Sequence, residues 1–420
     1  MAQRKIVLFL LLLFVSGTLL GLTWLYFDFN PASEASADFL DQHWQRPLLP
    51  QGDPPAAGAG YEDSLDAKTC GGCHVQQYAD WSTSRHSRSM GAGILWQMHI
   101  FDQEAANKCL NCHAPLAEQK ALVALERHWP SRPEADLPGY VPANLHLQGL
   151  SCAACHLRAH RVYGPPARSG LSGNESGLPH GGFVATRAFE DSRFCASCHQ
   201  FAQDGPRLNG KLREDIYNQW RASVYPERGE TCQTCHMPER RHLWRGIGDA
   251  DMVRRALAID LKALSLSGGQ IQLQLRLGNA GAGHHFPAYL VPRVEVRVEL
   301  VDAGGRSHHQ VLRHSLQWRA SVDLLEEQAD TRLAAGETRQ LQALLPTSPE
   351  PDWSLRLTVD VAPKEHYERV YEDMLSKQAH LMRSETLKLL RQALAEARAS
   401  RYCAVTLNFP LPTLSAPVAN

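Results

Sequence analysis

The sequence predicts a multidomain chain: an N-terminal transmembrane helix, a mostly α-helical and irregular domain rich in cysteine and histidine, and a C-terminal antiparallel β-sandwich with a following helical segment. Three observations predict it. An uncharged apolar run of 22 residues, Ile6 to Phe27, follows directly on Arg4 and Lys5. Ten of the 11 cysteines then fall between residues 70 and 235, in five pairs each followed at once by a histidine. From about residue 255 apolar and polar residues alternate strictly, the period of half-buried strands. The implied boundaries are a signal-anchor at 1–27, a Pro/Gly-rich linker at 28–60, the cysteine-rich domain at 61–248, the β-sandwich at 255–362, and C-terminal helices with a closing strand at 363–410.

Twenty-two apolar residues exceed the roughly 20 that a helix needs to cross a bilayer. Arg4 and Lys5 are expected to stay cytoplasmic, placing the body of the chain in the bacterial periplasm behind a single N-terminal span of the inner membrane. A cleaved signal peptide is the alternative, with Ala35-Ser36-Ala37 as its small-residue site; it exports the chain equally. Pro47, Pro50, Pro54 and Pro55, with Gly52, Gly58 and Gly60, predict an extended spacer without a packed element.

The five repeats are Cys70-Gly-Gly-Cys73-His74, Cys109-Leu-Asn-Cys112-His113, Cys152-Ala-Ala-Cys155-His156, Cys195-Ala-Ser-Cys198-His199 and Cys232-Gln-Thr-Cys235-His236. A Cys-x-x-Cys-His run is the attachment signature of c-type haem. Two thiols three positions apart reach one side of a helical turn, where they form thioethers to the two vinyl groups. The histidine then lies beneath the macrocycle as an axial ligand to iron. Zinc knuckles do not need a histidine after every second cysteine. A thioredoxin-like pair calls for a βαβ setting and no repetition. An odd cysteine count excludes a fully paired disulfide framework. Chance yields on the order of 0.01 such runs in a chain of this composition, so the five copies imply five covalently bound haem c groups. Five macrocycles across residues 61–248 would supply much of the apolar core, so this domain is expected to be haem-packed and weakly periodic. Helices are predicted at Gln103–Leu110, Ala117–His128 and Lys211–Ser223. The remaining cysteine, Cys403, is expected to be a buried strand residue.

In the third region Ile271, Leu273, Leu275 and Leu277 alternate with Gln272, Gln274 and Arg276, and Val294, Val296, Val298 and Leu300 alternate with Glu295, Arg297 and Glu299. Asp302-Ala-Gly304-Gly305 reads as a hairpin turn. Leu355, Leu357, Val359 and Val361 make a further strand, so an antiparallel sandwich is expected. Residues 364–400 lack Pro and Gly and carry apolar residues at helical spacing, and Val405, Leu407 and Phe409 close with a strand. Net charge is −1, from 43 basic and 44 acidic residues. No strongly basic face is implied, which argues against nucleic acid as a partner.

The run Cys70-Gly-Gly-Cys73-His74-x-x-x-Tyr78-x-x-Trp81-x-x-Ser84-x-His86 resembles the signature of the cytochrome c-554 family of multihaem proteins, part of a wider group with hydroxylamine oxidoreductase and multihaem nitrite reductases. Gly149-Leu-Ser-Cys152-Ala-Ala-Cys155-His156-x-x-x-His160 is similar to a second block of that family, with Leu157-Arg158-Ala159 replacing its Gly-Pro-Gly. Later blocks resemble related membrane-anchored cytochromes, and Gly281-Ala-Gly283-His284-His285-Phe286-Pro287 resembles a loop of their β-domains. The resemblance covers residues 61–248 and implies electron transfer or redox chemistry on nitrogen compounds.

Five histidines, His74, His113, His156, His199 and His236, are proximal. A second axial histidine makes a haem six-coordinate and suited to electron transfer, whereas an open position suits chemistry. The distal candidates are His86, favoured by the family pattern, His160, His180, His242, and His284 or His285 from the β-region. His99, His128 and His146 are reserves. His43, His308, His309, His314, His366 and His380 are expected at the surface. Met90 and Met98 are weaker ligand candidates, and Arg85, Arg88, Arg158 and Arg161 are candidates to pair with haem propionates. The expected function is a membrane-anchored periplasmic electron carrier between a membrane or periplasmic donor and a redox partner protein. The alternative is an oxidoreductase acting on a small nitrogen or sulfur compound at one open haem. A third expectation makes the β-domain a docking module.

Overall fold

A computed structural model describes residues 31–54, 64–168, 181–266, 270–345, 350 and 352–411 of the chain. The expected N-terminal transmembrane helix, and with it the single-span location, needs correction. Among the described residues no helix is long and apolar enough to cross a membrane. The segment 6–27 on which that expectation rested lies outside the described residues, whereas Ala35-Ser36-Ala37, the alternative processing site, lies within the helix Pro31–His43.

The supposed spacer does contain a packed element. A helix spans Pro31–His43, and Leu40 and His43 within it and Leu48 and Gln51 after it are buried. Proline is compatible with the first helical turn, where its missing N–H is not needed. The prolines and glycines that signal extended chain begin only after this helix.

Four of the five motifs end a helix on their histidine: Gln103–His113, Cys152–His156, Arg193–His199 and Cys232–His236. Two of these helices are stopped by a nearby proline, Pro115 and Pro238. Asp102 starts the longest, its carboxylate accepting from the Ala105 N–H at 2.8 Å. The first motif straddles two helices, Ala67–Gly71 and Val75–Thr83, with His74 at the N-terminal boundary of the second. The helix expected over 117–128 spans Ala117–Glu126. The one expected over 211–223 is shortened to Ile216–Arg221.

Short strands fill the gaps. β1 (Leu157–Arg158), β2 (Arg161–Gly164) and β3 (Val184–Ala185) form a small sheet. β4 (Arg207–Leu208) and β5 (Lys211–Leu212) form a hairpin. Asn209 and Gly210 turn it with φ of 48° and 75°, the left-handed pair that Asn-Gly adopts readily. This turn is why Lys211 and Leu212 are not helical.

The C-terminal region is sheet-rich. Its strands are β6 (Leu257–Ser265), β7 (Ile271–Asn279), β8 (Arg293–Val301), β9 (Ser307–Ala320), β10 (Glu327–Asp330), β11 (Thr338–Leu344), β12 (Ser354–Ala362) and β13 (Tyr402–Pro410). Two antiparallel sheets, ordered β10-β9-β8-β12-β13 and β11-β7-β6, share one core. Leu273, Leu275 and Leu277 of one sheet and Val294, Val296, Leu355 and Leu357 of the other are fully buried. Cys403 is corrected to an exposed position: it sits in edge strand β13 at a bulge opposite Val359 and Asp360. Helices Glu365–Lys377 and Ser384–Ala399 lie between β12 and β13. They pack back on the cysteine-rich region, where Tyr371, Leu390, Ala393 and Ala397 enclose Ala92 and Trp96. His43 and His366, expected at the surface, are buried. His43 bonds the Cys155 carbonyl at 2.8 Å, and His366 is held on the Arg369 side chain at 3.2 Å.

Candidate functional site

The five motifs form one cluster. Side-chain sulfurs touch between motifs: Cys70 with Cys152, Cys112 with Cys198, and Cys195 with Cys232. The first contact joins motifs 1 and 3, the second motifs 2 and 4, the third motifs 4 and 5. Arg46, just after the N-terminal helix, reaches Cys112 Sγ at 3.4 Å and Cys198 Sγ at 3.5 Å.

Three motif histidines face a second imidazole. His199 and His86 have ring centres 6.4 Å apart, His156 and His242 6.1 Å, and His236 and His284 6.4 Å with planes only 11° apart. Rings stacked directly would be closer. Two imidazoles bound to one metal through single nitrogens at about 2 Å each place their centres roughly 6 Å apart, so all three pairs match the span of an axial ligand set.

The tautomers match as well. His113 Nδ1 is 2.8 Å from the Ser89 carbonyl, His156 Nδ1 2.8 Å from that of Tyr163, and His236 Nδ1 2.6 Å from that of Arg245. On the partner side His242 Nδ1 lies 3.1 Å from the Arg240 carbonyl and His284 Nδ1 2.8 Å from that of His285. A carbonyl only accepts, so in each case Nδ1 carries the proton and Nε2 presents its lone pair. Burial keeps the rings of His86, His156, His199, His236, His242 and His284 neutral. It is the largest cause lowering His86 to a pKa of about 3, with His199 next, and lowering His156, His199 and His284 to about 4. A neutral imidazole is the metal-binding form.

Local structure explains how the partner rings are aimed. His86 lies on a loop whose carbonyl accepts from Leu150 N at 3.0 Å, and Trp81 Nε1 donates to the Leu150 carbonyl at 2.8 Å. Gly149, at φ 63°, allows this approach: a Cβ there would stand 2.5 Å from the His86 carbonyl oxygen. His242 is placed by Asp80, which is buried and accepts from Arg241 Nε and Nη2 at 2.7 Å each and from the His242 N–H at 3.1 Å. His284 sits in the loop after β7. Asn279 Nδ2 donates to its carbonyl at 2.8 Å, and Gln219 Oε1 accepts from the His285 N–H at 3.0 Å. The β-region thereby contributes one ring to the cluster. Trp244 stands between two of the partner rings, 4.7 Å from His86 and 5.0 Å from His242.

Other candidates are placed differently. His160 bonds the Gly52 carbonyl at 3.1 Å and meets Tyr140 edge-on. His180 lies outside the described residues. His99 contacts Thr386, and His146 contacts Glu126 at 3.0 Å. Met90 and Met98 are buried with Leu110 and Trp129 as packing residues. Arg158 bonds the His43 carbonyl and covers the Trp44 ring, Arg161 lies over Tyr163, and Arg88 bonds the Ser84 carbonyl. Asp80, Arg46 and Trp244 had no sequence pattern to mark them.

The Asp80–Arg241 pair gives a pH-dependent expectation. The Arg241 hydrogen bonds are the largest cause holding the Asp80 carboxyl below its ordinary 3.8, against the opposing effect of burial. A carboxyl depressed on folding stabilises above its unfolded pKa, and that stability is lost as pH falls through the folded value. Asp80→Asn is therefore expected to cost about 1–3 kcal/mol at pH 7. In chemical denaturation, its difference from the parent should shrink as pH falls below 4. A difference that grew on acidification would contradict this role.

No protein-family model and no curated protein matches the chain. Among solved structures, the fold is similar to the crystal structure of a penta-heme cytochrome c552 from Thermochromatium tepidum. The TM-score is 0.57 at 19% identity, covering 83% of this chain and 99% of that one. At this identity the likeness is one of fold, and it spans the cysteine-rich and sheet-rich regions together.

Proposed function

We propose that the chain is a multihaem c-type cytochrome that carries electrons, with five haem c groups attached through its five Cys-x-x-Cys-His motifs. The observation that carries this reading is the set of three imidazole pairs at 6.1–6.4 Å, each built on a motif histidine. The ten motif cysteines are the attachment points. His74, His113, His156, His199 and His236 would each hold the iron of their own motif, and His86, His242 and His284 would supply a second nitrogen for motifs 4, 3 and 5. A bis-imidazole haem supplies a low-spin iron that changes oxidation state with little rearrangement.

The chain's own residues do the rest. Carbonyl acceptors fix the ring orientations, and burial keeps the six paired imidazoles neutral. The cysteine contacts set motif 1 beside motif 3, motif 2 beside motif 4 and motif 4 beside motif 5, and Trp244 stands between two partner rings. A fold likeness to a penta-heme cytochrome and the resemblance of residues 61–248 to the cytochrome c-554 family support the same reading. The partners are redox proteins. Alkaline pyridine haemochrome analysis of the matured protein is expected to give five haems per chain. A value of three or fewer would overturn the reading.

A further inference from the structure

The loop after motif 5 holds its backbone in an unusual conformation. Among the described residues eight that are not glycine have positive φ, and three of them, Glu239, Arg240 and Trp244, fall within six positions of this loop. A bulky residue such as Trp244, at φ 42°, stays in the left-handed region only where its surroundings over-determine it.

Those surroundings belong to three motifs. The Trp244 N–H donates to the His236 carbonyl at 3.0 Å, and the carbonyl of the next residue, Arg245, accepts from His236 Nδ1 at 2.6 Å. The main chain is thereby locked onto motif 5. The ring instead meets the His86 imidazole at 4.7 Å and 63°, and the His242 imidazole at 5.0 Å and 85°. His86 faces His199 of motif 4, and His242 faces His156 of motif 3. Both contacts are edge-to-face, the arrangement that ring quadrupoles favour and that fixes one plane against another.

The two imidazoles depend on the indole unequally. His242 has anchors of its own: its Nδ1 lies 3.1 Å from the Arg240 carbonyl, and its backbone N–H donates to Asp80 at 3.1 Å. His86 Nδ1 is enclosed by protein, and among the described residues no group hydrogen-bonds it. A metal-binding histidine is ordinarily oriented through a hydrogen bond at its second nitrogen. At His86 the contact with Trp244 takes over that task.

We propose that Trp244 is a positioning residue for motifs 3 and 4, setting the ring planes of His242 and His86 together, with motif 4 the more dependent on it. This deepens the multihaem reading above and rests on it. The plane of an axial imidazole decides how its π orbitals overlap those of the iron, so one side chain would tune two neighbouring haems.

The test is electron paramagnetic resonance of the ferric matured protein. The signals lost in His86→Ala, His242→Ala and His284→Ala identify the haems of motifs 4, 3 and 5. Trp244→Leu keeps apolar bulk and the backbone hydrogen bonds but has no ring. It is expected to shift the g values of the motif-4 and motif-3 signals, the first further, and to leave the motif-5 signal in place. Trp244→Phe is expected to return both toward their parent values. The proposal is wrong if Trp244→Leu leaves both signals at parent values or moves the motif-5 signal as far, or if Trp244→Phe shifts them as much as Trp244→Leu. Should His86→Ala and His242→Ala remove no low-spin signal, the imidazole pairing beneath the proposal fails instead.

Discussion

His284→Ala is expected to abolish the bis-imidazole low-spin signal of one haem and to make that haem bind carbon monoxide when reduced. The substitution removes a ring whose centre lies 6.4 Å from that of His236, and alanine offers no ligand. The loop itself keeps its anchors. Asn279 is buried and holds the His284 backbone carbonyl, Tyr225 Oη donates to the Ala280 carbonyl at 3.0 Å, and Phe286 pairs with Leu333 across the sheet. The His86–His199 and His156–His242 pairs do not use the His284 ring, so their signals should persist. Electron paramagnetic resonance before and after carbon monoxide addition reads both effects. An unchanged spectrum would remove the β-region from the ligand set.

Leu275→Ala is expected to be strongly destabilising to the sheet-rich region. Leu275 is fully buried in the central strand β7, opposite Leu261 of β6 and Leu341 of β11. Truncating a buried leucine costs about 2–5 kcal/mol, depending on how far the cavity collapses. Chemical denaturation should show that loss. Strand β7 ends at Asn279, which holds the His284 loop, so the motif-5 low-spin signal should fade with the sheet rather than survive it. A loss below about 1 kcal/mol would mean the two sheets do not share the core described for them.

Much of this was legible in the sequence because the relevant signals are local. The Cys-x-x-Cys-His runs are chemistry written in five consecutive residues. The alternation in Ile271–Leu277 and Val294–Leu300 is a period-two pattern that a sandwich face imposes directly. His284 and His86 could be named as candidates because short motifs surround them. What the sequence hid depends on long-range placement. The helix Pro31–His43 was obscured by the prolines that follow it, and its packing depends on partners such as Cys155, 112 residues beyond His43. His366 looked solvated from its charged neighbours, but helix 365–377 turns it inward. Asp80 matters through Arg241, 161 residues away. The apolar run near the N-terminus shows the reverse problem: a strong local signal whose segment lies outside the described residues.

The central claim is that motif histidines are paired with imidazoles from elsewhere in the chain. Near-infrared magnetic circular dichroism of the oxidised protein tests it most directly, because the charge-transfer bands of low-spin ferric haem identify both axial ligands. Ligand sets from the His86–His199, His156–His242 and His236–His284 pairs predict bis-imidazole bands for at least three haems per chain. A spectrum with fewer than three, or one dominated by methionine or open coordination, would contradict the account.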